Sequence, residues 1–86
     1  MNINELIAIV KNKLKTEIVI QDIKIEDKSF LHKNHKGHQE GKFHLKLRII
    51  SDELKKLSKI DSTKKIYKIL DLELKDHIHS IQISLN

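Results

Sequence analysis

Between Phe43 and Ile49 the chain alternates without a break. Phe43, Leu45, Leu47 and Ile49 are apolar, and His44, Lys46 and Arg48 between them are not. Successive side chains of a β-strand point to opposite faces, so this run fits a sheet with one buried face and one face toward water. A second alternation, HIHSIQISL, places His79, Ile81, Ile83 and Leu85 on one parity. A third, shorter one lies within a β-branched stretch from Glu17 to Glu26, where Ile23 and Ile25 alternate with Lys24 and Glu26.

Helical spacing fills the intervals. Ile3, Leu6, Ile7, Val10 and Leu14 form the stripe of an amphipathic helix, with Asn2 as its cap and Glu5 as the capping-box acid. SDELKKLS predicts a short helix from about Asp52 to Leu57. Asp61 or Ser62 is placed to cap a longer helix whose inner face carries Ile66, Ile69, Leu70 and Leu74. The order is α-β-β-α-α-β. Two strands joined by a loop should be antiparallel, and the helical crossover then favours a third strand parallel to the second. The fold class expected is α+β, a single domain over residues 1–86, with a three-stranded mixed sheet and helices packed on one face.

Composition excludes several chemistries. With 86 residues there is room for one core. Aromatic content of 3% means that core is aliphatic. The absence of cysteine removes disulfides, thiolate nucleophiles and any Cys-ligated metal held by the chain alone. No apolar stretch approaches the ~20 residues that span a bilayer. MNINELIAIVKNK has an acid where a signal peptide carries a basic region, so no membrane association and a cytoplasmic address are expected. Ser51-Asp52 lacks the glycines of a nucleophile elbow, and Gly37 and Gly41 do not form a phosphate loop, so the chain does not read as an enzyme.

Two clusters remain. HKNHKGHQEGKFH, residues 32–44, holds four of the six histidines and both glycines. It reads as a loop, expected to be mobile from about Lys28 to Lys42, because no apolar face accompanies His32, His35 and His38. A metal site, a proton-sensitive switch and a solvated turn all fit it; imidazole suits zinc and nickel. On residue pattern alone His79 reads as a partly buried structural histidine, with His77 two residues earlier on the same parity. His44 belongs to the polar face of its strand. The second cluster is Lys55, Lys56, Lys59, Lys64, Lys65 and Lys68, set against Glu53 and Asp61. Lys64 and Lys65 in a first helical turn are a mild phosphate signal. The alternative is a solvated lysine-rich face in a chain of net charge +5.

Four segments, in order, carry a resemblance: EDKSFLHKNHKGH, FHLKLRIISDEL, IYKILDLEL and HIHSIQI. Together they resemble the BolA family. The resemblance implies an α-β-β-α-α-β fold similar to a type II KH domain, though LSKIDSTKK between the helices has no glycine and so no GXXG nucleic-acid clamp. It also implies a partner, a monothiol glutaredoxin, with which BolA-like proteins share a bridged [2Fe-2S] cluster. Glutaredoxin and glutathione supply thiolates, and the BolA-like chain supplies histidine: here His79 and His32, with His35 and His38 as substitutes. Alone, the chain should be a monomer that holds no cluster. A second implied role is DNA binding in transcriptional control of stress and morphology genes, through the lysine-rich two-helix segment. The sequence departs from the family pattern after Ser51-Asp52, where Glu-Leu-Lys-Lys follows, and at Ser62-Thr63-Lys64. It also stops at Asn86, where the family commonly continues.

Overall fold

Asn2 opens the first helix by a reciprocal cap. Its side chain accepts from Glu5 N at 2.8 Å and donates to Glu5 Oε1 at 2.9 Å. Helix α1, Ile3–Glu17, follows, with Leu6, Val10 and Leu14 fully buried. The structure is a computed structural model and describes residues 1–29 and 42–85. His32, His35 and His38, and most of the loop expected to be mobile, lie outside the described residues.

The β-branched stretch after α1 is not all strand. Ile18 N donates to Leu14 O at 2.9 Å, so the helix runs on through Glu17 and Ile18 becomes its buried C-cap. Strand β1 is Asp22–Asp27, and β2 is Phe43–Ile50. They pair antiparallel, Ile23 opposite Ile49 and Ile25 opposite Leu47. Ser51 caps the short helix α2, Asp52–Lys55, accepting from Leu54 N at 3.1 Å.

Helix α3, Lys59–Ile69, starts earlier than its acidic residues imply. Ser58, not Asp61 or Ser62, is the cap, accepting from Asp61 N at 3.0 Å. Ser62 is turned inward instead, where its hydroxyl donates to Leu54 O at 3.0 Å. The expected long helix is also broken at Leu70 (φ −96°, ψ 18°), and α4, Asp71–Asp76, continues from it. Strand β3, Ile78–Leu85, completes the sheet in the order β1-β2-β3, parallel to β2.

The mixed sheet carries its helices on one face, as the alternation of β2 requires. Leu45, Leu47 and Ile49 are at most 2% exposed and pack with Leu6, Val10, Leu14, Ile66 and Leu70. On the other face Arg48 and Lys24 stand in solvent around Glu26. Lys13 Nζ reaches the buried Glu73 Oε2 at 2.7 Å and ties α1 to α4.

Adjacent substitutions should therefore differ sharply. Leu47→Ala leaves a cavity and should cost about 2–5 kcal/mol in urea unfolding. Arg48→Ala, one residue along on the wet face, should cost under about 1 kcal/mol. Equal costs would contradict the one-sided sheet.

Candidate functional site

Ile78 and Ile81 are three residues apart, so in a regular strand they would face opposite sides. Ile78 is nonetheless 2% exposed in the core, while Ile81 packs against that same core. The conflict is resolved by a shift in register. Phe43 pairs with Ile78, but His44 pairs with Ser80, leaving His79 as the extra residue. Such a bulge re-aims the side chain it carries. His79 is thus exposed and does not share the inward face of Ile81, Ile83 and Leu85, contrary to simple parity. Nor does the strand extend to His77. That residue caps α4, its N–H donating to Glu73 O at 2.8 Å and its carbonyl accepting from Phe43 N at 2.9 Å.

His44 also departs from its expected place on a wet face, being only 6% exposed. Its Nδ1 shares a hydrogen bond with Ser80 Oγ at 2.6 Å. Its backbone N–H donates to Ser29 Oγ at 3.0 Å, and its carbonyl accepts from Lys28 N at 2.7 Å. Ser29 N in turn donates to Asp27 Oδ1 at 2.9 Å. The end of β1 and the start of β3 therefore meet at one residue of β2: the first holds the His44 backbone and the second its imidazole. The His79 ring lies against it, centroids 4.9 Å apart and planes tilted by 54°. His79 makes no hydrogen bond or ion pair among the described residues, so its ring nitrogens are open to a partner.

The site has exposed His79, supported by buried His44, with Ser80 and Ser29 fixing the latter. Strand parity alone misplaces both histidines, and the hydrogen bond between His44 and Ser80 has no counterpart in it. The available signal was the opposite parity of two apolar residues, Ile78 and Ile81. Among the described residues no three His, Cys, Asp or Glu side chains converge to hold a metal ion.

The lysine segment is less free than its sequence implies. Lys65 Nζ donates to Glu53 Oε2 at 2.9 Å, and Lys55 lies 4.0 Å from Asp52. Because α3 begins at Lys59, Lys64 and Lys65 fall in its second turn, and the first-turn phosphate signal disappears. Lys56, Lys59, Lys64 and Lys68 are exposed and form no salt bridge among the described residues.

The Lys65 ammonium, followed by the backbone N–H of Val19, holds the Glu53 carboxyl below its ordinary range. A depressed folded-state value means the stabilisation is present above the unfolded value and is lost as pH falls through the folded one. Lys65→Met should raise the Glu53 midpoint in a carboxyl-carbon NMR titration. An unmoved midpoint would show that Val19 alone sets it.

These features define a small α+β domain with a histidine presented at the bulged start of the last strand. Residues 14–86 match the family model described as BolA-like protein, and the chain belongs to that family. It is 30% identical over 77 residues to the DNA-binding transcriptional regulator BolA of Haemophilus influenzae, covering 90% of this chain and 72% of that one. It is also 30% identical over 79 residues to SufE-like protein 1, chloroplastic/mitochondrial, of Arabidopsis thaliana, covering 86% of this chain but spanning only 21% of that protein. The BolA domain of SufE1 from Arabidopsis thaliana superposes with a TM-score of 0.77 at 30% identity, over 92% of this chain and 87% of that one. BolA1 from the same plant shares the fold, with a TM-score of 0.78 at 24% identity over 92% and 87% of the two chains. No helix among the described residues is long and apolar enough to cross a membrane.

Proposed function

We propose that this chain is a non-enzymatic accessory protein of iron–sulfur cluster handling, which offers imidazole to a [2Fe-2S] cluster brought by a monothiol glutaredoxin and glutathione. The observation that carries the reading is His79: an exposed imidazole with open nitrogens, lifted out of the strand by the bulge and backed by buried His44. Neutral imidazole is a good iron ligand, and the buried His44 ring packs against His79 from behind. With no cysteine in the chain, thiolate ligands have to come from the partner. The donor set present fits a shared cluster and cannot hold one by itself. When bound, a cluster with imidazole in place of thiolate on one iron carries less negative charge and a higher reduction potential, which suits transfer or sensing.

In this reading His79 is the first ligand and the loop supplies the second, His32 or, in its place, His35 or His38. His77, two residues before His79, is the competitor to test beside it. Co-expressed with a monothiol glutaredoxin, the chain should co-purify as a coloured heterodimer with a visible spectrum distinct from that of the glutaredoxin homodimer. His79→Ala should abolish the difference while leaving the far-ultraviolet dichroism unchanged, because an exposed imidazole carries little of the core. His32→Ala should weaken it less. Acidification should release the cluster, since a protonated imidazole has no lone pair for iron. An unchanged spectrum and cluster lifetime in His79→Ala would remove His79 as a ligand.

The similarity to the DNA-binding transcriptional regulator of Haemophilus influenzae supports a second reading, in which Lys56, Lys59, Lys64 and Lys68 contact DNA phosphates. Only one arginine, Arg48, is available for base edges, and it lies on the sheet. Such binding should be weakly sequence-selective and fall steeply with salt. No mobility shift of duplex DNA at low salt would eliminate it.

A further inference from the structure

Strand β3 lies at the edge of the sheet: it pairs with β2 on one side and with no strand on the other among the described residues. The opposite edge, β1, is defended. Four of its six residues, Asp22, Lys24, Glu26 and Asp27, are charged, the usual device against pairing with another chain. β3 has no such defence. From Ile78 to Leu85 it contains no Asp, Glu, Lys, Arg, Pro or Gly, in a chain that is 34% charged. Among the described residues, one edge of the same sheet is blocked and the other is left open.

The order of residues along that open edge is also particular. Ser80-Ile81-Gln82-Ile83-Ser84 reads the same in both directions. Two identical strands related by a two-fold axis pair antiparallel, and each residue then faces the one equally far on the other side of the axis. With the axis at Gln82, Ile81 faces Ile83 of the second copy, Ser80 faces its Ser84, and Gln82 faces Gln82. Like meets like at every position. Ile81 and Ile83 sit opposite Leu45 and Leu47 in the sheet, on the helix-covered face, and both remain partly exposed. Beside Ile83 and Leu85 lies a recess of about 350 Å³. It is floored by Ile49 and Leu54, and it adjoins the position that Ile81 of the second copy would take. A slip of one residue would set isoleucine against glutamine or serine and break the face pattern of the continuous sheet.

We propose that β3 is a self-association strand, through which two copies of this chain pair antiparallel about Gln82 to form a continuous six-stranded sheet. The family resemblance leads to a monomer; the strand order and the two unlike edges lead to a dimer. A strand-to-strand contact of this length falls below about 1,200 Å² of buried surface, so the association is weak and depends on concentration. Each copy carries a net charge of +5, so added salt strengthens it by screening the repulsion. Binding of a polyanion to the lysine segment has the opposite salt dependence, which separates the two events.

Cysteine scanning tests the register directly, because the natural chain has no thiol. Facing residues of an antiparallel pair lie within disulfide reach. Gln82→Cys should form a disulfide dimer under mild oxidation, at least ten-fold faster than Lys24→Cys on the charged edge. Ser80→Cys and Ser84→Cys should each link slowly alone and quickly when mixed, since each faces the other across the axis. Gln82→Lys, at an exposed position, should keep the monomer's circular dichroism and abolish concentration-dependent sedimentation. If Gln82→Cys links no faster than Lys24→Cys, or if mixing the two serine variants gives no gain, the pairing is wrong. The open edge is then not a contact between copies.

Discussion

Strand β2 is the constraint to which the remaining elements are fitted. Among the described residues it is the strand with a neighbour on each side, and its inner residues Leu45, Leu47 and Ile49 are withdrawn from water. Burying each of these side chains is worth roughly 1.5–3 kcal/mol. A slip of one residue would turn Lys46 and Arg48 into the helix layer, where unpaired charge is costly, so the register is fixed on both sides. Ile23 and Ile25 of β1 and Ile81 and Ile83 of β3 take their facing from it.

That fixed register meets a conflict at the start of β3, and the candidate site is its outcome. Phe43 to Leu45 spans two steps along β2, while Ile78 to Ile81 spans three along β3. Both isoleucines join the core because one residue, His79, is left out of the ladder. Burial of Ile78 and Ile81 thus presents the imidazole, and His44, held by Ser80 and Ser29, stands behind it. Core packing and the exposure of the His79 imidazole are two consequences of the same three residues.

The fold was legible because its signals are periodic. The capped α1, the two-faced β2 and the parallel crossover follow from spacings of 3.6 and 2 residues. The boundaries that differ have local causes invisible to periodicity. Ile18 looks like strand but closes the last turn of α1. Ser58 competes with Asp61 and Ser62 for the same cap and wins because Ser62 is needed by Leu54 O. His79 was legible as a residue but not as an exposed one, since a bulge depends on the partner strand's count. The pairing of Lys65 has a cause of the same kind: Glu53, more than thirty residues from Val19, gathers both Val19 N–H and Lys65.

In the proposed function the bulge presents a His79 nitrogen to an iron carried by another protein. This is tested most directly by pulsed electron–nuclear spectroscopy of the reduced, shared cluster, with this chain alone labelled with 15N-histidine. The expected result is strong 15N coupling from two directly bound imidazoles in the wild-type complex, reduced to that of the loop histidine in His79→Ala. A coupling pattern unchanged in His79→Ala but reduced in His77→Ala, or no 15N coupling in the wild-type complex, would contradict it.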